Sequence, residues 1–302
     1  MANKKDFHSG FVTIAGRPNV GKSTLMNCVL GEKLAIVSNK PQTTRNKITG
    51  IHTTDDVQMI FIDTPGIHTP KSKLGESMVK MAETAASDVD VVLFLVEPHE
   101  KPSDSERAIA AKLAKSKAPV FLVINKIDTV TKAEVLPVID TYKEICDFAE
   151  IVPISALRAE NVDELLSAIK RYLPVGPKYF PDDMITDRPE RFIAAEMIRE
   201  KALYVLQDEI PHGIAVEITA VRPREGQENL LDMDATIYCE RESHKGIVIG
   251  KQGTVLKEIG TQARRDLQKL FGSKVNLQLW VRVKKNWRDS DFYIKSFGYD
   301  ND

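Results

Sequence analysis

The chain has 302 residues, of which 42% are hydrophobic and 28% charged, and its formal net charge at pH 7 is −1. This composition is that of an ordinary soluble globular protein, and the length predicts two domains. The sequence contains no run of eighteen apolar residues and no apolar signal core, so we expect neither a membrane-spanning helix nor a secretion signal. Cys28, Cys146 and Cys239 match no metal-binding spacing, and we expect reduced thiols in a cytoplasmic protein.

The first predicted strand, residues 11–15, leads into a glycine-rich turn and then a helix. The turn has the pattern G-x-x-x-x-G-K-S, which in this context predicts a phosphate-binding loop. Its glycines let backbone N–H groups converge on phosphate oxygens, Lys22 reaches the β- and γ-phosphates, and the Ser23 hydroxyl is placed for Mg²⁺. The predicted nucleotide contacts in this segment are Gly16, Arg17, Pro18, Asn19, Val20, Gly21, Lys22, Ser23 and Thr24.

Two further segments are predicted to face the phosphates and Mg²⁺. Residues 31–47 are polar and lack periodicity, which predicts a loop in which Thr43 or Thr44 closes over the nucleotide. The predicted strand 57–62 ends at Asp63, where a carboxylate can support Mg²⁺. Ser23, Thr44 and Asp63 are therefore the candidate metal residues. The D-x-x-G pattern after the strand adds the candidate nucleotide contacts Asp63, Thr64, Pro65 and Gly66.

The base is predicted by a quartet after another buried strand, residues 120–124. A carboxylate at Asp128 can accept from guanine N1–H and from the exocyclic amine, a pair of donors that adenine lacks. Asn125 can tie neighbouring loops together, and the Lys126 stem can lie over the ring. A later turn offers backbone N–H groups to guanine O6. These predicted guanine contacts are Asn125, Lys126, Ile127, Asp128, Ser155 and Ala156.

Strands and helices alternate from residue 11 to residue 173, where a helix capped by Asn161 ends. This alternation predicts an α/β domain with a doubly wound, mostly parallel sheet and with ligand loops at the carboxyl ends of the strands. Residues 174–182 contain three prolines and a glycine, which is typical of a linker. We therefore expect a nucleotide-binding domain over residues 1–177 and a second domain over residues 178–302.

The second domain has a different order of elements and a strong asymmetry of charge. Its predicted elements are a helix (190–207), two strands (215–221 and 230–239), a G-x-x-G turn, a helix (254–271) and a strand (274–283), followed by a basic and aromatic tail. This α+β order is that of a type II KH module, whose Gly-x-x-Gly loop clamps single-stranded RNA. Residues 190–240 carry a net charge of −6 and residues 241–288 one of +9. The predicted RNA contacts are Gly250, Lys251, Gln252, Gly253, Lys257, Arg264 and Arg265.

With these motifs, the whole chain resembles the Era family of bacterial GTPases. The resemblance implies GTP and GDP as ligands, Mg²⁺ as cofactor, and binding to 16S rRNA near its 3′ end in maturation of the 30S subunit. It also implies a monomeric cytoplasmic protein that associates loosely with the inner face of the cell membrane. Two other interpretations remain open, a GTPase acting at the membrane and one acting on another structured RNA.

The resemblance also bears on hydrolysis. After Gly66 stands Ile67, a further candidate nucleotide contact, where Ras-like GTPases carry a glutamine that orients the attacking water, so slow intrinsic hydrolysis is expected. In related GTPases an asparagine at the position of Asn19 helps to hold K⁺ beside the phosphates, and we assign the candidate catalytic roles to Asn19, Lys22 and Thr44. Relatives usually read S-A-x-x-G-x-N after the last strand of this domain, where this chain has Ala159 in place of the glycine.

Overall fold

The computed structural model describes residues 6–38, 40, 43–65, 72–84, 88–207 and 210–299. The described residues group into two compact units. The first unit takes its residues from Met1–Ala35, Thr44–Thr69 and Met78–Asp187, and the second from Ile36–Thr43, Pro70–Ser77 and Arg188–Asp302.

The first unit is built on a mostly parallel sheet, as predicted. The order of the described strands is β2-β3-β1-β4-β5-β6, and β2 alone among them pairs antiparallel. Because the order reverses at β1, right-handed crossovers place helices on both faces, which is the doubly wound arrangement. The strands are β1 (His8–Gly16), β2 (Ile48–Thr53), β3 (Val57–Asp63), β4 (Val91–Val96), β5 (Val120–Ile124) and β6 (Glu150–Pro153). The helices are α1 (Lys22–Leu30), α3 (Asp104–Leu113), α4 (Lys132–Tyr142) and α5 (Val162–Tyr172), together with the part of α2 (Lys73–Thr84) from Met78 onward.

The central strands form the core of this unit. Every residue of β3, β4 and β5 is buried, which explains why their sequences are almost wholly apolar. Strand β2 was not among the predicted elements. Its sequence, ITGIHT, is short and contains a glycine and polar residues, and it forms an edge strand through its pairing with β3.

The end of the first unit differs from the predicted domain boundary. Residues 178–187 belong to this unit because their backbone is held by β2 and β3. The Gln58 side-chain oxygen accepts from the N–H groups of Tyr179 at 2.7 Å and Phe180 at 3.0 Å. The Ile51 N–H donates to the carbonyl of Ile185 at 2.9 Å. The division therefore lies between residues 187 and 188 rather than after residue 177.

The second unit has the element order of a type II KH domain, as predicted. Its described elements are α6 (Glu190–Val205), β7 (Ala215–Pro223), β8 (Leu230–Cys239), α7 (Glu242–Ile249), α8 (Thr254–Phe271), β9 (Lys274–Val283) and α9 (Asp291–Ser296). The order of the described strands is β7-β8-β9, where β7 and β8 are antiparallel and β8 and β9 parallel. Met233, Ala235 and Ile237 of β8 are fully buried, as are Ile259, Ala263 and Leu267 of α8, so these residues form the domain core.

The predicted basic tail after residue 283 is instead a packed part of this unit. Trp287 is fully buried, and its indole N–H donates to the carbonyl of Gly213 at 2.8 Å. Its ring lies 5.5 Å from that of Phe297. The prediction of a tail was wrong because the basic residues around Trp287 concealed an aromatic core residue. In the described part of the chain, no helix combines the length and apolarity needed to cross a membrane.

Candidate nucleotide-binding site and nucleic-acid interface

The phosphate-binding loop joins β1 to α1, and its two glycines are required by close contacts. A Cβ on Gly16 would lie 2.6 Å from the carbonyl oxygen of Leu95. Gly21 has a φ of +101°, and a Cβ there would lie 2.1 Å from the side-chain nitrogen of Asn125. Neither position accommodates a side chain, so glycine is required at both for the loop backbone to pack against Leu95 and Asn125.

Lys22 is the first residue of α1 and is only 6% exposed. Its ammonium group donates to the loop carbonyls of Gly16 at 3.2 Å and Arg17 at 2.9 Å. Burial lowers the pKa of Lys22 to about 8, against the opposing effect of the Asp63 carboxylate. The positive charge is thus held inside the loop, where a polyphosphate would stabilise it.

Three oxygen-bearing side chains from different segments meet next to this lysine. The Ser23 hydroxyl donates to Asp63 Oδ2 at 2.6 Å and lies 3.0 Å from the Thr44 hydroxyl. Asp63 is fully buried, and burial raises its pKa although Lys22 and the Ser23 hydrogen bond act in the other direction. Its Oδ1 atom has no hydrogen-bond partner among the described residues. A buried carboxylate oxygen beside two hydroxyls is a donor set that fits Mg²⁺.

The geometry separates the two candidate threonines. Thr44 lies at the cluster with Ser23, whereas the Thr43 hydroxyl donates to the carbonyl of Lys40 at 2.6 Å. Thr64 also has a backbone partner, since its hydroxyl donates to the carbonyl of Ile14 at 3.1 Å. Pro65 follows it as a buried residue, and the predicted contacts Gly66 and Ile67 lie outside the described residues.

Residues that the sequence analysis did not identify hold the loop before Thr44, within the second unit. Arg199 of α6 donates to the carbonyl of Thr43, and the Glu200 carboxylate accepts from the N–H of Val37 at 2.9 Å. The Tyr204 hydroxyl donates to the Val37 carbonyl at 2.7 Å. Arg199 and Glu200 are 0% and 1% exposed. The available signal was three charged residues, Glu196, Arg199 and Glu200, spaced one helical turn apart among the apolar residues of α6.

The guanine quartet follows β5, and Asn125 makes the tie that its position predicted. Its side-chain nitrogen donates to the carbonyl of Val20 at 2.8 Å, and its side-chain oxygen accepts from the N–H of Ala156 at 2.9 Å. Lys126 donates to the carbonyl of Asn19 at 2.8 Å and pairs with Glu97. The Asn125 side chain thus joins the phosphate loop to the turn that contains Ala156, and the Lys126 side chain makes a second bond to the phosphate loop.

Asp128 is held in place by a hydroxyl from another loop. The Ser155 hydroxyl donates to Asp128 Oδ1 at 2.6 Å, and the side chain of Asp128 is 9% exposed. Arg158 lies 3.8 Å from Asp128 Oδ2. The carboxylate is therefore oriented before a base arrives, which suits recognition of paired donors.

The amides predicted to meet guanine O6 already have partners. The Ser155 N–H donates to the carbonyl of Glu160 at 3.0 Å, and the Ala156 N–H donates to Asn125. A contact from either N–H group to a base would share or replace these bonds.

In the same turn Ala159 has a φ of +55°, a conformation that favours glycine. Asn161 stands at the start of α5, but its side chain donates to the carbonyl of Pro153 and does not cap the helix.

The predicted RNA loop lies between α7 and α8 of the second unit. Gly250 has a φ of +74°, and a Cβ on it would lie 2.5 Å from the Val255 side chain. Gly253 has a φ of +78°, and Gln252 between them also has a positive φ of 51°. Lys251 and Gln252 are exposed. The loop is thus a tight backbone turn that presents two polar side chains to solvent.

A basic face and an apolar strip continue from this loop. Lys257 and Arg264 lie on the same side of α8, because a spacing of seven residues is close to two turns, while Arg265 is turned about 100° from Arg264. All three are exposed. Ile247, at the end of α7, is 50% exposed, and Leu279 of β9 is half-buried near Gly260. The sequence analysis did not identify these apolar residues, because their exposure depends on how α7 and α8 pack.

The fold and the two sites define a GTPase domain followed by a KH domain. A model of the 50S ribosome-binding GTPase family matches residues 11–126, and a KH-domain model matches residues 209–288. The chain is 56% identical over 291 residues to GTPase Era of Clostridium kluyveri, covering 96% of this chain and 99% of that protein. It is 56% identical over 296 residues to GTPase Era of Clostridioides difficile, covering 98% and 99%. The chain belongs to the Era family and is a GTPase.

Solved structures agree over nearly the whole chain. Aquifex aeolicus Era, as a variant bound to GDP·AlF4⁻, matches with a TM-score of 0.94 and 43% identity, covering 98% of this chain and 100% of that one. An Era complex with MgGDPNP and nucleotides 1506–1542 of 16S ribosomal RNA matches with the same TM-score, identity and coverage.

Proposed function

We propose that this chain is a GTP-hydrolysing switch that binds 16S rRNA near its 3′ end through the KH domain and assists assembly of the 30S subunit. One observation carries the proposal. A preorganised guanine-nucleotide site and a GXXG loop with a basic helix face occur in one chain, whose fold matches an Era structure held with MgGDPNP and 16S rRNA nucleotides.

In the nucleotide site, we assign the loop backbone from Gly16 to Thr24 to the phosphates and the Lys22 ammonium to the β- and γ-oxygens. Ser23, Thr44 and Asp63 would hold Mg²⁺, which supplies positive charge where negative charge develops during phosphoryl transfer. Their spacing of 2.6 and 3.0 Å around the Ser23 hydroxyl supports this assignment.

For the base, we assign guanine recognition to Asp128, with Asn125 and Lys126 as the residues that hold the loops around the ring. The bond from Ser155 keeps the Asp128 carboxylate fixed, so less side-chain entropy is lost when guanine binds. Because Asp128 accepts two donors, a base without that pair leaves a buried charge unpaired.

For RNA, we assign the backbone clamp to the loop from Gly250 to Gly253 and the phosphate contacts to Lys251, Lys257 and Arg264. Arg265 points further round the helix and is assigned an outer electrostatic contact. KH loops clamp about four nucleotides. The exposed Ile247 of α7 and the partly buried Leu279 of β9, which lies near Gly260 of α8, provide apolar surface against which bases can pack.

The proposal is tested by titrating a fluorescent RNA of 16S nucleotides 1506–1542 with the wild type and with a variant in which Lys251 and Gln252 are both aspartate. A control variant with Ala114→Asp and Lys115→Asp makes the same change in charge at exposed positions after α3. The loop variant should lose RNA affinity while the control keeps it. Equal affinities for all three proteins, or no binding by the wild type, would contradict the RNA assignment.

We further propose that K⁺ binds beside the phosphates at Asn19. This residue has a φ of +67°, and its carbonyl accepts from the Lys126 ammonium at 2.8 Å, so the backbone at this point of the loop is fixed. Single-turnover GTP hydrolysis should be faster in KCl than in NaCl at equal ionic strength. Asn19→Ala should remove the difference, and equal wild-type rates in the two salts would contradict the proposal.

A monomeric state and peripheral association with the cytoplasmic face of the membrane complete the proposal. Sedimentation equilibrium should give the mass of one chain. Flotation with anionic vesicles should recover protein at low salt and release it at high salt, since a basic surface would hold it electrostatically. Failure to float at low salt would contradict membrane association and would leave the proposal of RNA binding unaffected.

A further inference from the structure

The KH sheet has a second face, on the side away from α8, and the aromatic residues at the end of α9 cover only one end of it. Alternate residues of β8, among them Met233, Ala235 and Ile237, are fully buried on the helix side, so Asp234 and Thr236 point to the opposite side. At one end of that side, Tyr238 packs on Phe297 with ring centroids 4.8 Å apart. The part of this face around Asp234 and Thr236 therefore lies next to the contact between Tyr238 and Phe297, toward the start of β8.

Trp280 stands on this face with 57% of its surface exposed. It belongs to β9, which the strand order places at an edge of the sheet, and it pairs in register with Thr236. Its neighbours on the same side of the strand are Gln278 and Arg282, both exposed. The strand itself carries Lys274 and Arg282 and no carboxylate. An indole between an amide and a guanidinium is a surface suited to stacking of nucleic-acid bases.

A polar pocket of about 370 Å³ adjoins Gln278 on this face. Its side chains are organised by ion pairs and hydrogen bonds rather than free in solvent. Arg224 donates to Asp232 at 3.0 Å, Asn276 donates to the same carboxylate at 2.7 Å, and Arg222 lies 3.1 Å from Asp234. The pocket thus presents fixed donors and acceptors of the kinds that read base edges.

We propose that Trp280 and this pocket, together the sheet platform, form a second RNA contact in which an unpaired base stacks on the indole and a neighbouring nucleotide enters the pocket. The proposal rests on the proposed RNA-binding function and adds a surface to it. A KH loop accounts for about four nucleotides. The RNA in the matched Era complex has 37 nucleotides, 1506 to 1542, which leaves room for contacts elsewhere on a protein of this fold.

The edge strand makes the two surfaces continuous. Leu279 and Val281 of β9 are half-buried on the side of α8, whereas Gln278, Trp280 and Arg282 point to the platform side. The platform carries both signs of charge, with Arg222, Arg224 and Arg282 as well as the pocket carboxylates of Asp232, Asp234 and Glu225, so the exposed indole rather than net charge favours a nucleic-acid base as the occupant.

The fluorescence of the chain reports this contact directly. The sequence has two tryptophans, and Trp287 is fully buried whereas Trp280 is 57% exposed. Addition of the 37-nucleotide RNA should quench the emission of wild type and protect it from iodide, because a stacked base covers the exposed indole. Trp280→Phe should show neither change, and wild-type emission that stays unchanged at saturating RNA would overturn the proposal.

Affinity provides the second test. Trp280→Ala should weaken binding of the 37-nucleotide RNA about tenfold with an unchanged salt dependence, because stacking releases no counterions. Trp280→Tyr should restore most of the affinity. Phe292→Ala, at an aromatic residue of the same unit that is 74% exposed, is the matched control and should have no effect.

The outcomes separate this proposal from the one on which it rests. If Trp280→Ala binds like wild type while the Lys251 and Gln252 double variant does not, the sheet platform is not an RNA contact and the KH assignment stands. If wild type binds no RNA, both proposals fail. RNA truncated from either end should at some length lose both the quenching and the effect of Trp280→Ala together, and an effect that persists at four nucleotides would place Trp280 at the loop instead.

Discussion

The nucleotide site and the RNA surface are organised in opposite ways. In the nucleotide site, Asp63, Asn125 and Asp128 are buried or nearly so and already bonded to other site residues. On the RNA surface, Lys251 and Arg264 are exposed, and the shape comes from backbone turns at glycines. A compact ligand with a fixed donor pattern suits the first arrangement, and a flexible polyanion suits the second. Variants in the nucleotide site should therefore have large, specific effects, and variants on the RNA surface smaller ones that depend on salt.

The largest effect is expected from Asp128→Asn. The amide no longer accepts from both guanine donors, and the mispaired groups should cost about 2–4 kcal/mol of GTP binding energy. Xanthosine triphosphate, which offers an acceptor at the exocyclic position, should bind to the Asp128→Asn variant more tightly than to the wild type. Isothermal titration calorimetry with GTP and with xanthosine triphosphate measures the two affinities. Asp140→Asn, at an exposed site in α4, is the control, and unchanged GTP affinity of the Asp128 variant would contradict guanine recognition by this residue.

The next effect is that of the Lys251→Asp, Gln252→Asp variant on RNA. Two carboxylates against the RNA backbone should weaken binding at least tenfold, or about 1.4 kcal/mol. The slope of log affinity against log salt should become shallower, since fewer phosphates are neutralised. GTP affinity should stay at the wild-type value because these residues belong to the KH domain. An equal loss of GTP affinity would mean that the variant is misfolded.

A smaller effect is expected from pH. Burial lowers the pKa of Lys22 to about 8 in the ligand-free protein, and bound phosphates favour the charged form. Binding should therefore take up a proton above pH 8, and GTP affinity should fall as pH rises, by up to about tenfold per pH unit. Calorimetry in buffers of different ionisation enthalpy measures the uptake. Lys22→Arg should bind without it, because arginine stays protonated, and equal uptake by that variant would assign the proton to another group.

The smallest effect is expected from Ala159→Gly. Ala159 has a φ of +55°, which costs energy for any residue with a Cβ. After allowance for the entropy of glycine in the unfolded chain, the variant should be more stable by about 0.5–1 kcal/mol. Urea denaturation measures the change. Ala114→Gly, at a φ of −59°, should have the opposite sign, and destabilisation by both changes would show that the turn is unstrained.

The same contrast explains how much the sequence could predict. The phosphate loop and the guanine quartet could be predicted residue by residue because their chemistry requires particular side chains at short, fixed spacings after strands. Thr44 rather than Thr43 lies at the Ser23 cluster, as expected for the candidate metal residue, although spacing alone does not separate adjacent threonines, which differ only in the direction that the backbone gives them. For the same reason, burial of Trp287 and exposure of Trp280 could not be read from their sequence surroundings.

Contacts between segments that are distant in the chain could also not be predicted from the sequence. Arg199 and Glu200 bond to residues more than 150 positions away, and their partners are backbone groups that carry no side-chain signature. The position of residues 178–187 had a similar cause. The prolines predicted a linker between domains, but hydrogen bonds from the backbone of Tyr179 and Phe180 to the Gln58 side chain hold residues after 177 in the first unit. Strand β2 was missed because pairing with β3 outweighs its weak propensity.

We propose that the bound nucleotide controls RNA binding in this chain. The direct test is to titrate the 37-nucleotide RNA into the wild type loaded with GDP and, separately, with a non-hydrolysable GTP analogue. Linkage requires that any effect of the nucleotide on RNA affinity be matched by an equal effect of RNA on nucleotide affinity. Wild type should bind the RNA more tightly with the analogue than with GDP, and the Lys251 and Gln252 double variant should bind weakly in both states. Equal wild-type affinities in the two nucleotide states would contradict control by the nucleotide and leave two tethered but independent domains.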